Sequence, residues 1–189
     1  MQREESEELE SRFSSWMRAE HKELCAGLGE ALAAGGRIRA AAQEVAQIIG
    51  PHLEKEQAYV LALLGAMPAL AEDEVTPDMA ELCPLADRLK AEIPHMEEEH
   101  KAILAALRKL AAVAAQEGNI EYAGLVHKMA QHARVEERDC YPVALVVGEY
   151  LELKLAGGCA ACDLATKGCP YVKTDRATPE QALSSPKQP

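Results

Sequence analysis

The sequence predicts an all-α fold, an antiparallel up-down four-helix bundle over residues 1–156, followed by a cysteine-containing loop and mobile tail over residues 157–189. Three observations predict it. Hydrophobic residues make up 48% of the chain and aromatic residues only 4%, so apolar mass comes from alanine and leucine, which favour helix over sheet. Four segments carry apolar residues at steps of three and four, the mark of a one-sided helix. Glycine-containing turns or proline-containing stretches separate these segments.

The first helix is expected over about residues 4–34, with Phe13, Met17, His21, Leu24 and Leu28 on one face and Gly35-Gly36 as its stop. The second is expected from Arg37 to Gly65, presenting Val45, Ile49, His52, Glu56, Tyr59 and Leu63. Gly50-Pro51 should kink it without ending it, because the apolar phase resumes. Residues 66–78 read as a loop and about 79–92 as a short helical piece. The third helix is expected from Pro94, at a first-turn position, to Gln116, with Met96, His100, Ile103, Leu107 and Leu110 inward. After a turn at Gly118-Asn119, the fourth runs from Ile120 to Ala156, bent at Pro142, with Leu125, Met129, His132, Glu136 and Val143 inward.

Charge and composition exclude some functions. A net charge of −11 repels phosphate backbones, so nucleic acid is not an expected partner. The chain has no apolar run long enough to span a bilayer. The acidic start MQREESEELE is unlike a signal peptide, so a cytoplasmic location is expected. In a reducing compartment the six cysteines are not read as structural disulfides.

One pattern recurs. His52 and Glu56 are four residues apart, as are His132 and Glu136; Glu20-His21 and Glu99-His100 precede them by about one helix length. The two halves repeat with an offset of about 80 residues. Residues i and i+4 share a helix face, so each His–Glu pair can reach one centre. His21 and His100 lie on the apolar stripes of their own helices, and in a bundle all six side chains converge in the core. One histidine on an apolar stripe is more often a hydrogen-bonded core residue than a ligand. Six such groups together are costly to bury without a metal or mutual pairing. Imidazole plus carboxylate suits iron, manganese or zinc rather than calcium or magnesium. The candidate ligands are therefore His21, His52, Glu56, His100, His132 and Glu136, enough for two metals with two bridging carboxylates. His95 and His127 fall off the stripes and read as solvent-facing. Trp16 reads as packing, and Glu97–Glu99 as a solvated face. Tyr59, one turn after Glu56, is either a donor to the site or, more simply, a core tyrosine.

These motifs, with Cys140-Tyr141-Pro142 after the last pair, resemble the hemerythrin-like (HHE cation-binding) family over about residues 15–155. The resemblance implies a non-haem di-iron centre, two oxo- or hydroxo-bridged iron ions, with manganese or zinc as alternatives. O2-carrying hemerythrins have a further histidine where this chain has Met96. The four-His, two-Glu set looks more like the iron-centre repair group, associated with oxidative and nitrosative stress. On the fourth helix Glu137 matches the spacing of the hemerythrins' last carboxylate, whereas the internal repeat selects Glu136. The His-then-Glu order is not that of ferritin-like sites, which use Glu-x-x-His.

Cys159, Cys162 and Cys169 are candidate redox or metal-binding residues, or an inert loop. They fall one short of a four-cysteine site, for which Cys140 or a partner chain is a candidate source. The expected function is binding or reduction of O2, NO or peroxide, with an electron-donor protein as a candidate partner. The alternatives are a non-catalytic O2 or redox sensor, an iron store, and a purely structural bundle.

Overall fold

The structure is a computed structural model and describes residues 12–156. Among these residues there is no strand. Four long helices pack as a bundle: α1 (Arg12–Ala34), α2, α3 (Cys83–Gln116) and α4. The helix α2 is composite: an α segment (Gly36–Lys55), a π-helical turn (Glu56–Leu61) and a closing α turn (Ala62–Gly65). The helix α4 is built the same way, from Ala123–Val135, a π-helical turn (Glu136–Cys140) and Tyr141–Leu155. No described helix is long and apolar enough to cross a membrane.

Gly35 and Gly36 both have positive φ, 85° and 55°, and together turn the chain from α1 into α2. At the end of α3 Gly118 has φ 81°. The Asn119 amide donates to the Ala114 carbonyl at 2.9 Å and the Gly118 amide to Ala115 at 3.1 Å, a Schellman stop.

Pro94 does not begin a helix. It lies inside α3, which starts eleven residues earlier at Cys83. The expected short piece over 79–92 is partly a 3-10 turn (Pro77–Leu82) and otherwise the first turns of α3. The helix runs on through the proline because Ala86, Leu89, Met96 and His100 form one continuous buried phase. Packing of that face outweighs one missing backbone hydrogen bond, and Pro94 itself is exposed. Pro51 is likewise inside an unbroken helical segment. The expected loop also holds a short helix, Met67–Ala71.

The apolar core falls into two clusters. One holds Leu24, Leu28, Val45, Ile49, Ile103, Leu107 and Met129. The other holds Met17, Val60, Leu63, Leu89, Met96, Tyr141 and Ala144. On every helix the candidate ligands separate the two: His21 follows Met17 and precedes Leu24, and His100 follows Met96 and precedes Ile103. His52 and Glu56 lie between Ile49 and Val60, and His132 and Glu136 between Met129 and Cys140. A polar layer thus crosses the bundle between two apolar blocks.

Candidate metal centre

Glu56 and Glu136 have no exposed surface, and His52, His100 and His132 are 1% exposed. His21 is the most open of the six, its side chain 13% exposed. The two glutamates open the two π turns. A π turn holds one more residue than an α turn in the same rise, and such turns concentrate at functional sites.

The six side chains resolve into two overlapping groups. His21, Glu56, His132 and Glu136 have ligand atoms within 4.8 Å of one another, and so do His52, Glu56, His100 and Glu136. Both glutamates belong to both groups because each divides its oxygens. Oε2 of Glu56 lies 3.1 Å from His21 Nε2, and Oε1 lies 3.4 Å from His52 Nε2. Oε1 of Glu136 lies 2.9 Å from His132 Nε2 and 3.3 Å from His21 Nε2, while Oε2 lies 3.3 Å from His100 Nε2. One oxygen of each carboxylate therefore serves the His21–His132 position and the other the His52–His100 position. All four imidazoles present Nε2 inward.

The outer ring nitrogens are held differently. His52 donates from Nδ1 to Glu99 Oε2 at 3.0 Å, and Glu99 is itself anchored by Lys55 at 2.6 Å. His100 donates from Nδ1 to Glu137 Oε1 at 2.8 Å. A proton fixed on Nδ1 leaves the Nε2 lone pair free for a metal. Glu137 therefore sits behind the ring of His100, and Glu136 in front of it. Glu99, expected on a solvated face, is half-buried against α2. His95 and His127 are exposed.

Tyr141 donates its hydroxyl to Glu56 Oε1 at 2.7 Å and stacks on His100, centroids 6.2 Å apart and planes 13° apart. The sequence offered Tyr59 as one candidate for this role, with a core tyrosine the simpler reading, and placed Tyr59 and Val143 inward. Both are only half-buried; Val60 and Leu61, and Tyr141 and Ala144, are buried in their places. Each π turn advances the buried phase by one residue, an offset that no α-helical periodicity reveals. Half-buried Trp16 packs on the His132 ring at 5.5 Å.

Electrostatics without a metal follow from this crowding. Burial works to lower the His21 pKa, but the close carboxylates of Glu136 and Glu56 outweigh it and raise it to about 9. His100 is raised for the same reasons: burial is overcome by Glu136 and Glu137. Burial alone would raise both glutamates, yet the surrounding histidines hold Glu56 below the usual carboxylate range and Glu136 well below it. Burial and the nearby carboxylates push the Tyr141 hydroxyl far up, so it remains a donor. Cys140, a candidate fourth cysteine ligand, is wholly buried in the apolar core, and burial pushes its thiol up to about 12. Cys25, Cys83 and Cys140 are free thiols. Cys159, Cys162 and Cys169 lie outside the described residues, as does the tail.

The set fits a pair of cations. Five buried polar atoms lack a hydrogen-bond partner among the described residues: His52 Nε2, Glu56 Oε2, His100 Nε2, His132 Nδ1 and Glu136 Oε2. Four of them are atoms of the inward His–Glu contacts. Buried acceptors left without donors are expensive, and a cation satisfies several at once. Four imidazoles and two carboxylates, with no wholly oxygen set, are compatible with a two-metal site of iron, manganese or zinc.

Comparison with curated proteins and with solved structures finds no match. Residues 12–144 match the family model of the hemerythrin HHE cation-binding domain, a span that contains all six converging side chains, both π turns and Tyr141. With most of its length covered by that match, the chain belongs to the hemerythrin HHE cation-binding family, and its buried histidines and glutamates fall into two groups that could each hold a metal ion.

Proposed function

We propose that this chain is a non-haem di-iron protein that binds or reduces a small molecule, O2, NO or peroxide. His21, His52, His100 and His132 would hold the metals, with Glu56 and Glu136 shared between the two histidine pairs. One observation carries the assignment: each buried glutamate divides its two oxygens between the same two histidine pairs. Mutual ion pairing alone does not require that division. The order in which successive helices meet the two apolar clusters alternates, which supports an antiparallel up-down arrangement.

When bound, the metal pair supplies Lewis-acid and one-electron chemistry at positions the protein leaves open. The chain's own residues prepare that site. Glu99 and Glu137 hold the rings of His52 and His100, and Tyr141 orients Glu56 and keeps a proton on its own oxygen. Two apolar blocks exclude water above and below the layer. A cleft of about 390 Å³ lined by Trp16, Glu20, Gln131, His132, Arg134 and Val135 opens onto the His132 ring, room enough for a diatomic or peroxide. Fully buried Met96 occupies the position of the O2 carriers' additional histidine, which favours NO or peroxide reduction over reversible O2 carriage. In that role an electron-donor protein is required, and the cysteine tail is the candidate relay.

The test is metal content per chain, with an absorption spectrum, on protein expressed with added iron. About two irons in the wild type and a marked loss in His52→Ala are expected. Folded, helical protein without stoichiometric metal, or unchanged metal in His52→Ala, overturns the assignment. Turnover of NO or peroxide with a reductant identifies a catalyst; reversible binding without turnover identifies a sensor.

A further inference from the structure

The two halves of the site are related by the internal repeat but are not equivalent. The repeat pairs His21 with His100, His52 with His132, Glu20 with Glu99, and Gln57 with Glu137. Its symmetry requires that Glu20 accept from His132 Nδ1 as Glu99 accepts from His52 Nδ1. It does not. The ion-pair contact of Glu20 is Lys128, at 3.9 Å, and Lys128 is held more closely by Glu23. His132 Nδ1 has no hydrogen-bond partner among the described residues. The second relation fails by chemistry. Where Glu137 accepts from His100, the first half has the neutral Gln57, whose amide oxygen takes Arg18 at 3.3 Å.

Thus both imidazoles of the His52–His100 position carry a carboxylate on the outer nitrogen, and neither imidazole of the His21–His132 position does among the described residues. A carboxylate there raises the basicity of the inward nitrogen and fixes the ring. Loss of one such partner typically costs 10–100-fold in metal affinity. Burial separates the positions at one residue: the side chain of His21 is 13% exposed, whereas His52, His100 and His132 are each 1% exposed; His132, though as buried, borders the Trp16–Glu20 cleft. Tyr141 works weakly against this order by drawing charge from Glu56 Oε1, the oxygen nearest His52. Its neutral O–H acts on a shared bridge, however, not on either imidazole.

We infer that the two positions load in order, the His52–His100 position first and tightly and the His21–His132 position second and loosely, with Glu99 and Glu137 as the positioning residues that set the order. The inference rests on the two-metal assignment proposed above. It makes the His21–His132 position, beside the cleft, the exchangeable one.

The test is anaerobic calorimetric titration of the metal-free full chain with ferrous ion. Two binding events separated by about tenfold or more are expected. Glu99→Gln and Glu137→Gln should each weaken the first event by about 10–100-fold and leave the second in place. Glu20→Gln should change neither. In a His132→Ala background one event should remain, with the first constant, and still respond to Glu99→Gln. Both positioning side chains are partly exposed, 26% and 37%, so these variants should keep the wild-type circular dichroism, which is measured alongside. Two events of equal affinity, or a first event indifferent to Glu99 and Glu137, overturn the loading order and leave the two-metal site standing. Absence of any binding overturns both.

Discussion

Removing the Tyr141 hydroxyl isolates one hydrogen bond with little change of shape. In Tyr141→Phe the ring keeps its place against His100, but Glu56 Oε1 loses its donor at 2.7 Å, and Oε2 already lacks one among the described residues. A buried hydrogen bond to a charged group is worth about 1.5–3 kcal/mol. For a domain near 150 residues each kcal/mol moves Tm by about 2–4 °C, so the metal-free variant should melt roughly 3–12 °C below the wild type. Thermal unfolding followed by circular dichroism measures this, with Tyr59→Phe as the control. The Tyr59 hydroxyl makes no hydrogen bond among the described residues, so that control should match the wild type within about 1 °C. If Tyr141→Phe also melts with the wild type, or if Tyr59→Phe falls as far, the assignment of Tyr141 as the donor that orients Glu56 is wrong.

On the proposed ligand set, Glu136→Gln should cut bound metal to less than one ion per chain, because its carboxylate reaches both histidine pairs, while His95→Ala and His127→Ala keep the wild-type content; elemental analysis decides, and a loss in either exposed variant contradicts the proposed set. A Cβ at Gly148 would overlap the Ala86 methyl where α4 meets α3, so Gly148→Ala should destabilise the bundle by about 1–3 kcal/mol in urea unfolding, and an unchanged midpoint would argue against that close approach. Because the His21 pKa is raised from 6.5 to about 9 in the metal-free fold, its contribution is complete below pH 6.5 and is lost as pH rises through about 9. Metal-free Tm should accordingly fall over that window, whereas metal affinity should rise over it because the ligand nitrogens must be deprotonated. A metal-free Tm that climbs from pH 6.5 to 9 is incompatible with His21 paired to Glu56 and Glu136.

How much of this was legible in the linear chain depends on the kind of information each feature needs. Periodicity and the two His-x-x-x-Glu pairs are local, so the helical class, the helix stops at Gly35-Gly36 and Gly118, and the six converging residues were all readable from spacing. The repeat placed these six side chains on the apolar stripes; that they form one polar layer between two apolar blocks is a feature of the tertiary packing. The continuity of α3 through Pro94 was not readable. A proline's local cost is evident in sequence, but the packing of Ala86, Leu89 and Met96 that offsets it is not. Nor were the π turns: nothing in the residue order marks the extra residue after Glu56 and Glu136, yet it moves Tyr59 outward and brings Tyr141 and Ala144 in.

By itself, then, the sequence determined which residue types share a helix face, and hence that four histidines and two glutamates meet in one core. Only the tertiary structure decided what lies between helices. It divided the oxygens of Glu56 and Glu136 between two histidine pairs, set Glu99 and Glu137 behind His52 and His100, and left His132 Nδ1 without an equivalent partner. The physical reason is one of range. A helix face is fixed by a few residues along the chain, whereas the distance from an imidazole on one helix to a carboxylate on another depends on the packing of every side chain between them.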